Sequence, residues 1–180
     1  MIYAALLRGI NVGGNRKVEM QRLAATFERA GMMTVSTYIN SGNVIFQSEH
    51  IDIDQLAKMI ERAIESEFGF HVDVLLRDLD NIKAVIEALP HTWNNDKTSK
   101  CDVMYLWKDV DNRDVLNSLT VRPDIDEVKY VGGALLWRIN REHASISGMK
   151  KLAGTALYKN MTIRNCNTTR KLHELMQAIL

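Results

Sequence analysis

Six apolar positions in a row, Ile2-Tyr3-Ala4-Ala5-Leu6-Leu7, open the chain. An apolar run without polar alternation is the mark of a strand covered on both faces. After a glycine-rich stretch the period becomes helical, with Val18, Met20, Leu23, Phe27 and Ala30 on one stripe and Gly31 as the stop. Thr34 to Ile39 is rich in β-branched residues and predicts a strand. Asn40-Ser41-Gly42-Asn43 is a turn cluster, and Val44-Ile45-Phe46 continues as its partner, so a hairpin is expected. Asp52 or Asp54 can cap a helix whose stripe is Leu56, Ile60, Ile64 and Phe68, ended by Gly69. Val72, Val74 and Leu76 alternate as a strand, and a short helix bearing Leu79, Ile82, Ile86 and Leu89 runs to Pro90. The order β-α-β-β-α-β plus a helix is the split, ferredoxin-like order.

Residues 91–100 are polar and without period, which predicts a linker. The same order then starts again. Asp102 to Trp107 is a strand, and Asp111 caps a helix bearing Val115, Leu116 and Leu119. Val128 to Val131 and Ala134 to Ile139 flank Gly132-Gly133 as a hairpin. A helix then buries Met149, Leu152 and Ala156. Only Met161-Thr162-Ile163 is left to serve as a last strand before a helix with Leu172, Leu175, Met176 and Ile179. The expected fold class is α+β: two ferredoxin-like α/β-plait modules, βαββαβ-α then βαββα-α, with largely antiparallel sheets. The expected domains are 1–90 as an N-terminal plait, 91–100 as linker, and 101–180 as a plait-like module with an extra C-terminal helix. No residue-level repeat accompanies the repeated order, so one larger sheet built from both hairpins is the alternative.

Composition changes this picture little. Hydrophobic content of 46% and charged content of 25% are those of an ordinary globular chain. Cys101 and Cys166 are widely separated with no CxxC, which argues against a disulfide scaffold or a zinc site and suits a reducing compartment. The apolar stretch before Arg8 is too short for a signal core, and no run approaches the roughly 20 residues of a membrane span. The expectation is a cytoplasmic protein with no membrane partner; its oligomeric state is left open.

Charge changes the picture more. Residues 8–17 carry Arg8, Arg16 and Lys17 with no acid, and residues 138–173 carry eight cations against Glu142 alone. The net charge of +1 therefore hides a segregated pattern that can attract anions. The bland alternative is a solvated basic face.

The stretch Arg8-Gly9-Ile10-Asn11-Val12-Gly13-Gly14-Asn15-Arg16-Lys17 joins the first strand to the first helix. It fails the Walker pattern: Asn15 follows Gly14 where Lys belongs, and Val18 follows Lys17 where Ser or Thr would hold magnesium. The dinucleotide GxGxxG spacing is absent too. A generic reading survives, in which Gly-rich amides near a helix start, with Arg8, Asn11, Gly13, Gly14 and Lys17, hold an anion. Against it, glycines permit positive φ and asparagines form turns without any ligand. Ser41 and Asn43 join this candidate ligand-binding set from the neighbouring turn, although no nucleophile elbow surrounds Ser41. Thr162-Ile163-Arg164-Asn165 precedes the last helix, with Arg170 and Lys171 in its first turn. Cations there oppose the helix dipole, so Arg164, Asn165 and Lys171 form a second candidate anion site. The alternative is that Arg164 bonds to backbone or to an acid.

Ser147-Gly148-Met149-Lys150 matches the S-x-x-K pair of some acyl-transfer enzymes, making Ser147 and Lys150 the candidate catalytic residues. The companion elements are missing, and Ser147 also stands where a helix cap belongs. The five histidines show no ligand spacing, so no metal is expected, and nothing implies a cofactor. Tyr38, Tyr105, Trp107 and Trp137 lie on predicted strands without an RNP-like pattern, so core packing accounts for them better than base stacking.

Leu7-Arg8-Gly9-Ile10-Asn11-Val12-Gly13-Gly14 with Lys17-Val18 and Met20, Thr37 through Phe46, and Thr162-Ile163-Arg164-Asn165 with Lys171-Leu172 resemble the uncharacterised bacterial family catalogued as domain of unknown function 1697. Cys166 stands where that pattern leads us to expect Trp. The resemblance implies α/β-plait modules and no activity. Three functional readings follow. The first is a binding protein with a basic cleft between modules for a phosphorylated small molecule or nucleic acid. The second is an acyl-transfer or hydrolase-type enzyme using Ser147 and Lys150. The third is a scaffold or oligomer without a small-molecule site.

Overall fold

The structure is a computed structural model, and it describes every residue of the chain except Ile51. It contains two four-stranded antiparallel sheets with the same strand order. The first is β2(Met33–Tyr38), β3(Asn43–Gln47), β1(Ile2–Leu7), β4(Val74–Asp78). The second is β6(Glu127–Val131), β7(Ala134–Asn140), β5(Ser99–Leu106), β8(Met161–Asn165). Two compact units follow, one of Met1–Leu79 with Leu172–Leu180 and one of Asp80–Lys171.

In the first unit every residue of β1 is buried, as its unbroken apolar run requires. Tyr3, Ala5 and Leu7 pack with Leu23 and Phe27 of α1(Met20–Arg29) and with Leu56, Ile60 and Ile64 of α2(Ile53–Phe68). Asp52 caps α2 by accepting from the Gln55 amide at 3.0 Å, and Gly69 ends it in the left-handed region at φ 80°. Glu67 of α2 binds both Arg22 and Arg29 of α1, and the Arg22 hydrogen bond holds its carboxyl below the usual range.

The second unit repeats the topology with poorer helices. The α-helix expected after Asp111 is instead a 3-10 segment, Arg113–Ser118, and another, Lys108–Val110, precedes Asp111. The apolar positions there, Val115, Leu116 and Leu119, are too closely bunched to form a long stripe. The next helix, α4(Met149–Leu152), stops after four residues, and Ala156, expected in its core face, is exposed at the start of another 3-10 turn. The short or missing last strand is corrected: β8 pairs with β5 over five positions, completing βαββαβ. Its polar residues Thr162, Arg164 and Asn165 hid it from the apolar pattern.

Met104, Leu106, Leu135, Trp137 and Met161 form the core of this unit. Helix α3(Leu79–Ala88) buries Ile82 and Val85, and α5(Cys166–Gln177) starts directly after β8. Residues 91–100 are well anchored: Trp93 is buried and Ser99 and Lys100 already belong to β5.

Candidate functional site

The opening loop is built by backbone conformation. Gly9, Asn11, Gly13, Gly14 and Arg16 all have positive φ. Gly13 and Gly14, at φ 60° and 77°, are the central pair of a tight turn closed by the Asn15 amide on the Val12 carbonyl at 3.1 Å. Asn11 is the keystone. Its Nδ2 donates to the carbonyls of Val18 (3.0 Å) and Asn40 (2.8 Å), and its Oδ1 accepts from the Val18 amide at 2.8 Å. One side chain thus fixes both ends of the loop and ties it to the β2–β3 turn. Gly42 completes the joint. It is buried at φ 84°, and a Cβ there would lie 2.8 Å from Leu7 and Ile10 side-chain atoms. Asn43 is fully buried and donates to the Tyr38 carbonyl and the Ser41 hydroxyl.

This frame leaves the loop tip in solvent. Val12 is 67% exposed, and Ile39 in the adjoining turn is 49% exposed with φ 50°. A β-branched residue in the left-handed region is strained. Among the described residues, the amides of Gly13, Gly14 and Lys17 find no acceptor in the chain. An open depression of about 520 Å³ lies here, lined by Asn11, Gly14, Lys17, Val18, Glu19, Met20 and Asn40. Lys17 is its cation. Arg16 turns elsewhere, donating to the His71 carbonyl and lying over the Phe70 ring at 5.3 Å. Arg8 is half-buried, with its amide on the Asp73 carbonyl at 3.0 Å.

The second candidate site is organised differently. Arg164 is buried, donates to Thr162 Oγ1 (3.0 Å) and the Ile163 carbonyl (2.8 Å), and is lowered to about 10 by that burial. Asn165 caps α5 by accepting from the Thr168 amide at 2.9 Å. Lys171 is half-buried. Arg170 donates to the carbonyls of Pro90 (3.0 Å) and Trp93 (2.8 Å), so backbone oxygens supply the negative partner that its helix-start position calls for.

Ser147 is buried, and its hydroxyl donates to Asp126 at 2.5 Å while accepting from the Met149 amide at 3.0 Å. Lys150 is exposed. Asp126 also accepts from the amides of Arg122 and Gly148 and from the Trp137 indole. Burial pushes its carboxyl up, but these four donors together hold it below the usual range. The hydroxyl proton of Ser147 is therefore committed to a structural carboxylate. Tyr105 and Trp137 are fully buried, as core packing requires.

Two groups escaped the sequence reading. Glu61, His71 and Asp73 bring ligand-type atoms within 4.8 Å of one another. Glu61 already accepts from the Val74 amide, and His71 Nε2 pairs with Asp73 at 3.0 Å. They form an acidic edge on the side of the loop to which Arg16 turns. A second depression of about 400 Å³ is lined by His50, Gln55, Leu56, Lys58, Met59 and Arg62. The spacing of Lys58 and Arg62, one helical turn apart on α2, is the sequence signal that could have found it.

The fold and loop define a class: two antiparallel α/β plaits, the first carrying a rigid glycine-rich loop between its opening strand and helix. The chain belongs to the family described as Protein of unknown function (DUF1697), whose model matches residues 1–137. It is similar over 97% of its length, and 98% of the other chain, to the conserved bacterial protein SP0830 from Streptococcus pneumoniae, at 29% identity and a TM-score of 0.83. No curated protein matches it. Among the described residues, no helix is long and apolar enough to cross a membrane.

Proposed function

We propose that this protein is a binding protein that takes the phosphate of a phosphorylated small molecule or nucleic acid on its opening loop. The observation that carries the reading is the fixed loop itself. Five positive-φ residues, with the Asn11 side chain among them, hold the tip in one shape, with Gly13 exposed at its turn and Gly14 and Lys17 lining one depression. Backbone amides held in this way need no reorganisation to meet an anion. Exposed Val12 and strained, exposed Ile39 add apolar contact beside the charge. They contribute nothing to the core, which suits recognition better than folding.

The test is a thermal-shift and calorimetric panel of inorganic phosphate, nucleotides, a sugar phosphate and single-stranded RNA, repeated at several salt concentrations. The reading expects a response from at least one phosphate bearer, weakening steeply with salt and reduced in Lys17→Ala. A flat panel would sink it.

A further inference from the structure

Cys101 and Cys166 are both free thiols and both fully buried. The chain separates them, but the second sheet brings them together. The β5–β8 ladder pairs Val103 with Arg164 and Asp102 with Asn165. The ladder ends at that pair, and Cys101 and Cys166 are the next residues of the two chain segments at this end of it, Cys166 opening α5.

The two sulfurs are not equivalent. Interaction with Cys101, the largest influence on it, lowers Cys166 to about 7, while interaction with Cys166 and burial push Cys101 up. Cys166 is the first residue of α5, and Arg170 Nη1 lies 3.7 Å from its sulfur. A helix start and a guanidinium both favour a thiolate. One sulfur is thus placed as nucleophile and the other as the thiol that resolves it.

We propose that Cys101 and Cys166 form a redox-modification site, a dithiol that a hydroperoxide converts reversibly into an intramolecular disulfide. In the first step the Cys166 thiolate attacks one oxygen of hydrogen peroxide. The O–O bond breaks, a sulfenic acid forms, and the departing hydroxide takes up the proton that Cys166 released. In the second step Cys101 attacks the Cys166 sulfur and the S–O bond breaks. Hydroxide leaves and becomes water with the Cys101 proton. Two thiols are oxidised, one peroxide is reduced to two waters, and a dithiol reductant restores the pair. Because both sulfurs are buried, oxidation proceeds through local opening of the chain above them. The Trp93 carbonyl lies 3.5 Å from Cys166 Sγ and marks that cover. A small peroxide passes it more readily than a bulky disulfide. The inference is independent of the binding reading, since no loop residue takes part.

The experiment treats the reduced full chain with hydrogen peroxide, alkylates it with a maleimide under denaturing conditions, and measures intact mass. The expected product has lost two hydrogens, carries no maleimide, and yields one peptide pair joined through Cys101 and Cys166. Dithiothreitol returns both thiols. In Cys101→Ser the sulfenic acid on Cys166 persists and is trapped by dimedone, and in Cys166→Ser Cys101 stays reduced. The proposal is overturned if the wild type keeps both thiols alkylatable while methionines in the same sample oxidise. Oxygen added to Cys166 with Cys101 still free, or a disulfide between two chains, overturns it equally. The wild-type mass decides the question even where a variant fails to fold.

Discussion

In the opening loop, Lys17 is exposed at the rim of a depression. In the stretch from Arg138 to Lys171, where the positive charge is larger, the arginines are bonded to groups of the protein itself. Arg138 is bonded to Glu127, Arg141 to the Asp96 carbonyl, Arg164 to Thr162 and Ile163, and Arg170 to Pro90 and Trp93. The difference is one of side-chain chemistry and local backbone. A planar guanidinium with five donors can replace the missing hydrogen bonds of irregular chain, and the second unit, with its 3-10 turns, has much irregular chain to tie down. The first unit has two proper helices, and its cationic loop is held by Asn11 instead. Counting charges along a sequence therefore does not separate cations that tie down the fold from a cation left at the rim of a depression.

The comparison can be broken by substitutions, and the largest effect is expected in the second unit. Asp126→Ala strands three buried donors, from Trp137, Ser147 and Gly148, and the partly buried Arg122 amide, and a buried donor costs about 1–3 kcal/mol when orphaned. Denaturant unfolding should show a loss of about 4 kcal/mol, with phosphate response at the loop unchanged. Its pH dependence has a definite sign. The folded carboxyl lies below its usual value, so its contribution is fully present above the ordinary carboxylate range and is lost as pH falls through the depressed folded value. Wild-type stability should fall on acidification below about pH 4, and Asp126→Asn should flatten that limb. An unchanged acid limb would contradict the assignment.

Asn11→Ala comes next. It removes three hydrogen bonds and should cost about 2 kcal/mol. Unlike Asp126→Ala it should also weaken phosphate binding, because the tip loses its fixed shape. Equal stability loss with undiminished binding would show that loop rigidity is irrelevant to the ligand. Arg170→Ala should cost about 1–2 kcal/mol by freeing the Pro90 and Trp93 carbonyls, and leave binding as it was. A binding loss there would return the C-terminal cations to the candidate site. Lys17→Ala is the smallest in stability, within about 0.5 kcal/mol, yet it should weaken phosphate binding about tenfold and reduce the salt slope by about one.

The sequence carried more of the fold than of the site. Every strand of the first sheet could be read, because β1 is uniformly apolar and β4 alternates. In the second unit the pattern overstated the helices around Val115 and Met149 and understated β8, whose buried positions include Thr162 and Arg164. A buried arginine leaves no hydrophobic trace. The loop was visible as composition, but the role of Asn11 was not. Its partners at Val18 and Asn40 are backbone atoms, which have no side-chain signature. The placing of Cys101 and Cys166 at the same end of the β5–β8 ladder was hidden for a related reason: it depends on the register between the two strands, and register is set by the whole sheet rather than by the residues near either cysteine.

The most direct test of the loop as an anion site is a titration of the isotope-labelled chain with inorganic phosphate, followed through its backbone amide resonances. The account predicts saturable shifts centred on Gly13, Gly14 and Lys17, with Asn11 and Asn40 following and the amides from Arg138 to Lys171 unmoved. Shifts centred on Lys58 and Arg62, or on the C-terminal segment, would contradict it.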